Sequence, residues 1–257
     1  MNNQIFICLV FICLISCEKK ELSIEKGVKI EILNDEIKCI GDSCLVLRAK
    51  PIYKAMERNI AKNIITYKIS NNTKGRYLFV LDEDFIDPIN QYDIRSCSYC
   101  KKSKLFYNIE SNDNVRALYS LERGDNFMSN NKMNPEIFRI EETKFKLNEL
   151  NYSQVNNDFD FLNSIRKNSF VLYPQETKYF QTVVYLPIKE ANNFDNAFSY
   201  FRFNSKKKYT FNFIYISDST LLKKNLPKHK LEELKENNIK VFQGQLISNK
   251  VPVRFIY

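Results

Sequence analysis

Short segments in which β-branched or aromatic residues alternate with polar ones recur along the whole chain, and they restrict its fold more than any other feature. The clearest are residues 28–32, Val-Lys-Ile-Glu-Ile, and residues 64–69. Because successive side chains of a strand point to opposite faces of a sheet, this alternation predicts strands. Further strands are predicted at residues 77–81, 105–109, 137–147, 170–173, 179–186, 209–216, 241–247 and 251–256.

Two turn-forming segments between these runs predict hairpins. Residues 70–75, Ser-Asn-Asn-Thr-Lys-Gly, separate the strand at 64–69 from the strand at 77–81. Asn and Gly adopt the backbone conformations that tight turns need, so we expect these two strands to pair. Ser248, Asn249 and Lys250 separate the last two predicted strands in the same way and predict a closing hairpin.

Helical patterns are confined to a few short segments. Residues 228–237 follow Pro227, a favourable residue at the start of a helix, and a helix there places Leu231 and Leu234 on one face. Two further short helices are predicted at residues 158–167 and 53–61. We interpret the helices at 228–237 and 158–167 as connections that lie on a sheet.

The chain is long and apolar enough for a packed core, since 44% of its 257 residues are hydrophobic and 14% are aromatic. Residues 82–157 form the most irregular stretch and are expected to be an elaborated middle insertion. We therefore predict one elaborated β-sandwich domain at residues 27–257. The alternative is two small β domains divided within residues 122–136.

An uncharged apolar run at residues 5–15 ends at Leu14, Ile15, Ser16 and Cys17. The run is too short for a transmembrane helix, which needs about 20 residues. The four residues resemble the lipobox of bacterial lipoproteins, in which an apolar residue and two small or neutral ones precede a cysteine that receives a diacylglyceryl group.

This resemblance implies a signal peptide at residues 1–16, lipidation of Cys17 and a short tether at residues 17–26. The protein would then be attached to the cell envelope through its N-terminal lipid. In some bacteria an Asp after the lipidated cysteine retains lipoproteins at the inner membrane. Glu18 stands at that position, so we expect the outer membrane.

A second, architectural resemblance covers residues 64–81 and 170–253. A polar turn with Pro174 precedes a long predicted strand, and similar turns precede edge strands in immunoglobulin-like sandwich lipoproteins. The chain contains no Trp, so it lacks the buried tryptophan of antibody-type domains. The resemblance implies a mainly β, antiparallel, immunoglobulin-like sandwich with two or three short helices.

Four cysteines follow the lipidated one: Cys39, Cys44, Cys97 and Cys100. An even number in an oxidising compartment predicts disulfide bonds, and three pairings are possible. A zinc site made of four thiolates is an alternative, but an oxidising compartment disfavours it. Cys97 and Cys100 also have the spacing of a redox dithiol, and the neighbouring Lys101 would lower a thiol pKa.

The sequence contains no convergent set of catalytic residues. His229 is the only histidine and falls on an exposed face of the predicted helix at 228–237, and no nucleophile motif or zinc-protease motif occurs. The 5 glycines are isolated, which argues against phosphate-binding loops. We therefore predict no enzyme activity, cofactor or resident metal. An acidic cluster is expected to be a solvated loop rather than a calcium site: Asp82, Glu83, Asp84, Asp87 and Asp93.

The formal net charge is +9, but the basic residues are spread among 30 acidic ones. No arginine-rich stripe occurs, so we do not expect a nucleic-acid partner. The predicted function is a non-enzymatic binding or scaffolding module for a protein or an envelope glycan, with Tyr99, Lys101 and Lys102 as candidate surface residues. An inhibitor or immunity lipoprotein is one form of this function. A thiol–disulfide redox protein that uses Cys97 and Cys100 is the rival.

Overall fold

The fold is mainly β, as the alternation predicted. The computed structural model describes residues 27–40, 61–81, 86–89, 103–113, 118–123, 165–192, 197–204 and 206–256. In these ranges the strands are β1 Val28–Ile32, β2 Ile37–Ile40, β3 Ala61–Asn71, β4 Arg76–Val80, β5 Asp87–Pro88, β6 Lys104–Ser111, β7 Leu118–Arg123, β8 Ser169–Leu172, β9 Thr177–Leu186, β10 Ile188–Asn192, β11 Ala197–Arg202, β12 Tyr209–Ser217, β13 Ile239–Val241, β14 Gly244–Ile247 and β15 Val251–Ile256. The helices are α1 Ser219–Asn225 and α2 Lys228–Glu236, and residues 165–168 form a helical turn.

The strands form four sheets. Sheet A has the order β1-β3-β9, sheet C the order β13-β4-β8, and sheet D the order β10-β11-β7. Sheet B has the order β2-β15-β12-β6-β5, and β14 also pairs with β12. Most pairs are antiparallel, but β4 with β13, β2 with β15, and β5 with β6 are parallel. An alternating sequence pattern does not encode strand direction, so these parallel pairs were not predicted.

The main core lies between sheet B on one side and sheets A and C on the other. Tyr67 of β3 meets Phe213 of β12 with their ring centroids 5.0 Å apart. Phe79 of β4 meets Tyr215 of β12 at 5.5 Å and stacks on Phe242 at 4.6 Å. Edge-to-face and offset aromatic pairs of this kind add to the stabilisation from burial. These contacts hold the two layers of the sandwich together.

A second core lies on the outer side of sheet C, where the helices pack. Leu78 and Val80 of β4 form its sheet side. The helical side consists of Leu222 of α1, Leu226 just after α1, and Leu234 of α2. The predicted helix at 228–237 is confirmed as α2. The helix α1 was missed, although Asp218 caps its first turn by accepting hydrogen bonds from the backbone N–H groups of Thr220 and Leu221.

Strands β3 and β4 act as one long bent strand, and β8 and β9 act as its antiparallel partner. Ser70 pairs with Thr177 in sheet A, and beyond the bend Tyr77 pairs with Leu172 in sheet C. Both strands change sheet at the same level, where residues 72–75 and 173–176 interrupt the pairing. We call this bent pair the corner ribbon. Such corners are how strands pass from one sheet to the next in β-sandwiches.

Both predicted hairpins are therefore wrong in their pairing, although the strands themselves are present. Residues 72–75 turn a corner, so β3 pairs with β1 and β9 and not with β4. Strands β14 and β15 both pair with β12 along different lengths of it and not with each other. Asn- and Gly-rich segments accommodate a corner as readily as a chain reversal, so local sequence does not separate the two.

Several predicted elements lie outside the described residues: the strand at 137–147, most of the helices at 53–61 and 158–167, and most of the middle insertion. The proposed division within residues 122–136 also lies mostly there and stays a prediction.

The hydroxyl of Tyr215 links the two layers inside the main core. It donates a hydrogen bond to Val80 O at 3.0 Å and accepts one from Val80 N at 3.4 Å. Ser103 and Ser217 place a second pair of hydroxyls 2.6 Å apart in the same region. Burial raises the pKa of Tyr215 from its ordinary value of 10.0 to about 12.

We expect the raised pKa of Tyr215 to appear as a loss of stability in alkali. The unfolded state ionises near pH 10 and the folded state only near pH 12. The neutral phenol contributes its full stabilisation, about 3 kcal/mol, below pH 10, and this stabilisation is lost as the pH rises from 10 through 12. Denaturant unfolding of wild type and Tyr215→Phe across this range measures it. The wild type should lose more stability than the variant, and parallel curves would contradict the assignment.

Candidate functional site

Most residues that the sequence singled out lie outside the described part of the chain. They are Cys17, Cys44, Cys97, Cys100, Tyr99, Lys101 and Lys102. The lipidation, redox and surface predictions that rest on them stay predictions. Of the acidic cluster, Asp87 alone is described, and its backbone forms part of β5.

Two singled-out residues can be placed. Cys39 is fully buried in the main core on β2, with its Sγ 3.7 Å from Ile40 O. His229 is exposed on α2, where the sequence placed it. Within the described ranges there is no disulfide and no group of three His, Cys, Asp or Glu side chains placed to hold a metal ion. No helix in those ranges is both long and apolar enough to cross a membrane.

The outer face of sheet A is the most apolar exposed surface among the described strands. Tyr179, Val183 and Tyr185 of β9 are 67%, 43% and 42% exposed, and Ile64 of β3 is 54% exposed. Three exposed or half-buried lysines of β1 and β3 lie on the same face. We call this surface the tyrosine–lysine face: Lys29, Lys62, Ile64, Lys68, Tyr179, Val183 and Tyr185.

Strand register brings the members of this face together. Ile64 lies directly opposite Val183, Lys62 opposite Tyr185, and Lys68 opposite Tyr179. Directly opposed side chains on one face of an antiparallel pair contact each other. The aliphatic pair therefore lies next to the Lys62–Tyr185 pair, and the polar pair of Thr66 and Gln181 separates it from the Lys68–Tyr179 pair.

Polar cross-strand contacts fix the sheet that carries the face. Gln181 Nε2 donates to Thr66 Oγ1 at 3.1 Å, and Thr177 Oγ1 donates to Ser70 Oγ at 3.0 Å. Lys68 pairs with Glu31 of β1 at 3.1 Å. No ion pair involves Lys29 or Lys62 in the part of the chain that the structure describes, so the face carries a positive charge.

The sequence contained a signal for this face that the strand assignment did not use. In β9 the inward positions carry Phe180, Val184 and Leu186, and the outward positions carry Tyr179, Val183 and Tyr185. An ordinary half-buried strand has polar residues on its outward side. Apolar residues at both sets of positions therefore indicate a strand whose outer face has a use beyond folding.

A polar cleft of about 600 Å³ opens at the corner ribbon. Residues from three separate parts of the chain line it: Lys74, Gly75, Arg76, Pro174, Glu236, Asn237, Asn238 and Lys240. We call it the basic cleft, because it contains three cationic side chains and one carboxylate. Arg76 is held in place by a hydrogen bond from Nη1 to Asn237 O at 2.9 Å and by the Tyr173 ring, 5.8 Å from its guanidinium carbon.

Asn71 holds the corner at which the cleft is formed. Its side chain is fully buried, and Nδ2 donates to Gly75 O at 2.7 Å and to Tyr173 O at 3.0 Å. Its Oδ1 accepts hydrogen bonds from the backbone N–H and the hydroxyl of Thr73. One amide thus ties residues 72–75 to residues 173–176. The same hydrogen bonds offset the free-energy cost of removing this polar group from water.

A scan against protein-family models finds no match to this chain, and neither do searches of curated proteins and of solved structures.

We expect Asn71→Ala to destabilise the protein by about 3 kcal/mol, since it leaves carbonyl groups at two turns without their donor. Asn72→Ala is the matched control: its side chain is exposed, and the expected change is within about 0.5 kcal/mol. Denaturant unfolding followed by circular dichroism measures both. Equal effects of the two substitutions would show that Asn71 does not hold the corner.

Proposed function

We propose that the protein is a lipid-anchored, non-enzymatic binding module of the cell envelope, and that the tyrosine–lysine face binds an acidic protein partner. The observation that supports this most is the exposed apolar cluster of Ile64, Val183 and Tyr185, on a sheet fixed by cross-strand contacts. Contiguous apolar side chains on an otherwise polar surface are typical of sites where proteins associate.

The residue types at the face favour a protein partner over a glycan. Tyrosine is enriched among the residues that dominate protein–protein binding, because it buries a large ring at little conformational cost and keeps a polar hydroxyl. The aliphatic pair Ile64 and Val183 offers no polar group to a sugar, whereas an apolar side chain of a partner would bury against it. An envelope glycan is therefore the less favoured ligand.

The charge of the face specifies the partner further. Lys29 and Lys62 form no ion pair among the described residues, and both are exposed. Acidic side chains at the rim of a partner would pair with them, which accelerates association and selects against basic proteins. An inhibitor or immunity function would be one form of such binding. Cys97 and Cys100 lie outside the described residues, and a thiol–disulfide redox protein that uses them stays the alternative prediction.

The anchor in this proposal is the lipidated Cys17, at the end of a tether of residues 17–26. Two or three acyl chains hold a protein on a membrane almost permanently, since each buried methylene contributes about 0.8 kcal/mol. We place the protein at the outer membrane because Glu18 follows the cysteine. A binding module fixed there meets its partner at the envelope.

Lipidation predicts that the chain begins at an acylated Cys17 in the membrane fraction, and mass spectrometry of that fraction tests it. Cys17→Ala should release the protein from the membrane or leave the signal peptide uncleaved. If Cys17→Ala gives a soluble product and the wild type is equally soluble, the protein is not anchored by this cysteine.

The double variant Val183→Ser with Tyr185→Ser tests the face. We expect recovery of the partner in crosslinking pull-downs from the native envelope to fall at least about tenfold, because these two residues and Ile64 form the exposed apolar cluster of the face. Ile247→Ser is the control, since Ile247 is 57% exposed on β14 and lies outside the face.

Thermal unfolding of both variants should match the wild type, which separates lost binding from lost folding. Recovery of the same acidic partners by the double variant and the control would remove the face from the proposal.

A further inference from the structure

The described part of the chain begins beside the basic cleft. Gly27 O accepts a hydrogen bond from Asn72 N at 2.8 Å, and Val28 pairs with Asn71. The contact is so close that a Cβ on Gly27 would lie 2.7 Å from Thr73 Cγ2. The segment that precedes residue 27 therefore joins the sandwich at the corner that contributes Lys74, Gly75 and Arg76 to the cleft.

The cations of the cleft have no ion-pair partner in the part of the chain that the structure describes. Among the described residues no carboxylate forms an ion pair with Lys74, Arg76 or Lys240, and all three side chains are exposed. Glu236 is the single acidic residue of the lining. The end of the sandwich at which the tether enters thus has an excess of positive charge available to an anionic surface.

The tether brings this end close to a membrane. Residues 17–26 span at most about 35 Å when fully extended, which is similar to the length of the 11-residue strand β3 at about 3.3 Å per residue. A tether of that length allows several orientations of the sandwich. The three cations favour the orientation in which they face the membrane. Three basic residues near an anionic leaflet shift the equilibrium between orientations by roughly two orders of magnitude.

We propose that the basic cleft faces the membrane and that Lys74, Arg76 and Lys240 bind the phosphate groups of anionic lipid headgroups. This inference rests on the proposed function for its lipid anchor at Cys17. In this orientation the strands of sheet A run away from the bilayer, and the tyrosine–lysine face stays open to a partner. Lipid phosphate is favoured over a free phosphate ion because the cleft is open and its cations are exposed, as contact with a surface requires.

Vesicle binding by the unacylated protein tests the cleft directly. The probe is the mature chain, residues 17–257, with Cys17→Ala, and binding to phosphatidylglycerol and phosphatidylcholine vesicles is measured by sedimentation. We expect binding to phosphatidylglycerol alone, weakened by salt. Lys74→Glu with Lys240→Glu should reduce it by roughly tenfold or more.

Lys38→Glu with Lys206→Glu is the charge-matched control. The backbone N–H of Lys38 donates a hydrogen bond to Asn63 Oδ1 at 2.7 Å, and Asn63 lies about 26 Å from Asn71 along β3. Lys206 is exposed on the loop before β12. The control should retain binding within about twofold, because its charges lie away from the cleft.

Equal losses in the two double variants would overturn the proposal in favour of general charge attraction. Loss of wild-type binding in millimolar inorganic phosphate at constant ionic strength would overturn it in favour of a free phosphate site. The probe carries no lipid and no partner. Failure to bind vesicles would therefore contradict headgroup binding by the cleft without contradicting the anchor or the tyrosine–lysine face, which have separate tests.

Discussion

The buried amide of Asn71 is the interaction on which the rest of this structure depends. It lies where both strands of the corner ribbon pass from sheet A to sheet C, and it satisfies backbone groups on each of them. Without such a partner those carbonyl groups would cost free energy at the bend. The amide therefore makes a sharp corner compatible with a buried position, and the two sheets can cover the same aromatic core.

Three features that the proposals use are arranged around that corner. Residues 72–75 receive the start of the described chain at Gly27, and Lys74 and Arg76 carry the charge of the basic cleft. Beyond the bend, β9 continues along sheet A and presents the tyrosine–lysine face. The corner would thus connect the proposed sites of membrane attachment, headgroup binding and partner binding.

The sequence predicted the elements of this fold better than their partners. Alternation identified β3, β9 and β12. The apolar run at residues 213–216 of β12 is explained by burial on both faces, since Ile214 and Ile216 pack with Phe106 away from the main core. Pairing at the corner was not predictable, because it depends on contacts between residues about 100 positions apart. The cleft was missed for the same reason, whereas the apolar outward positions of β9 were a local signal of the face.

Hydrogen exchange of the acylated protein on vesicles tests the central claim, that the corner faces the membrane while the far end and the face stay exposed. Phosphatidylglycerol vesicles should slow exchange at residues 72–76 and 237–240 relative to phosphatidylcholine vesicles. Exchange at residues 33–36, at the opposite end of β1, should not change. Slowed exchange at residues 33–36 with none at the corner would contradict the account.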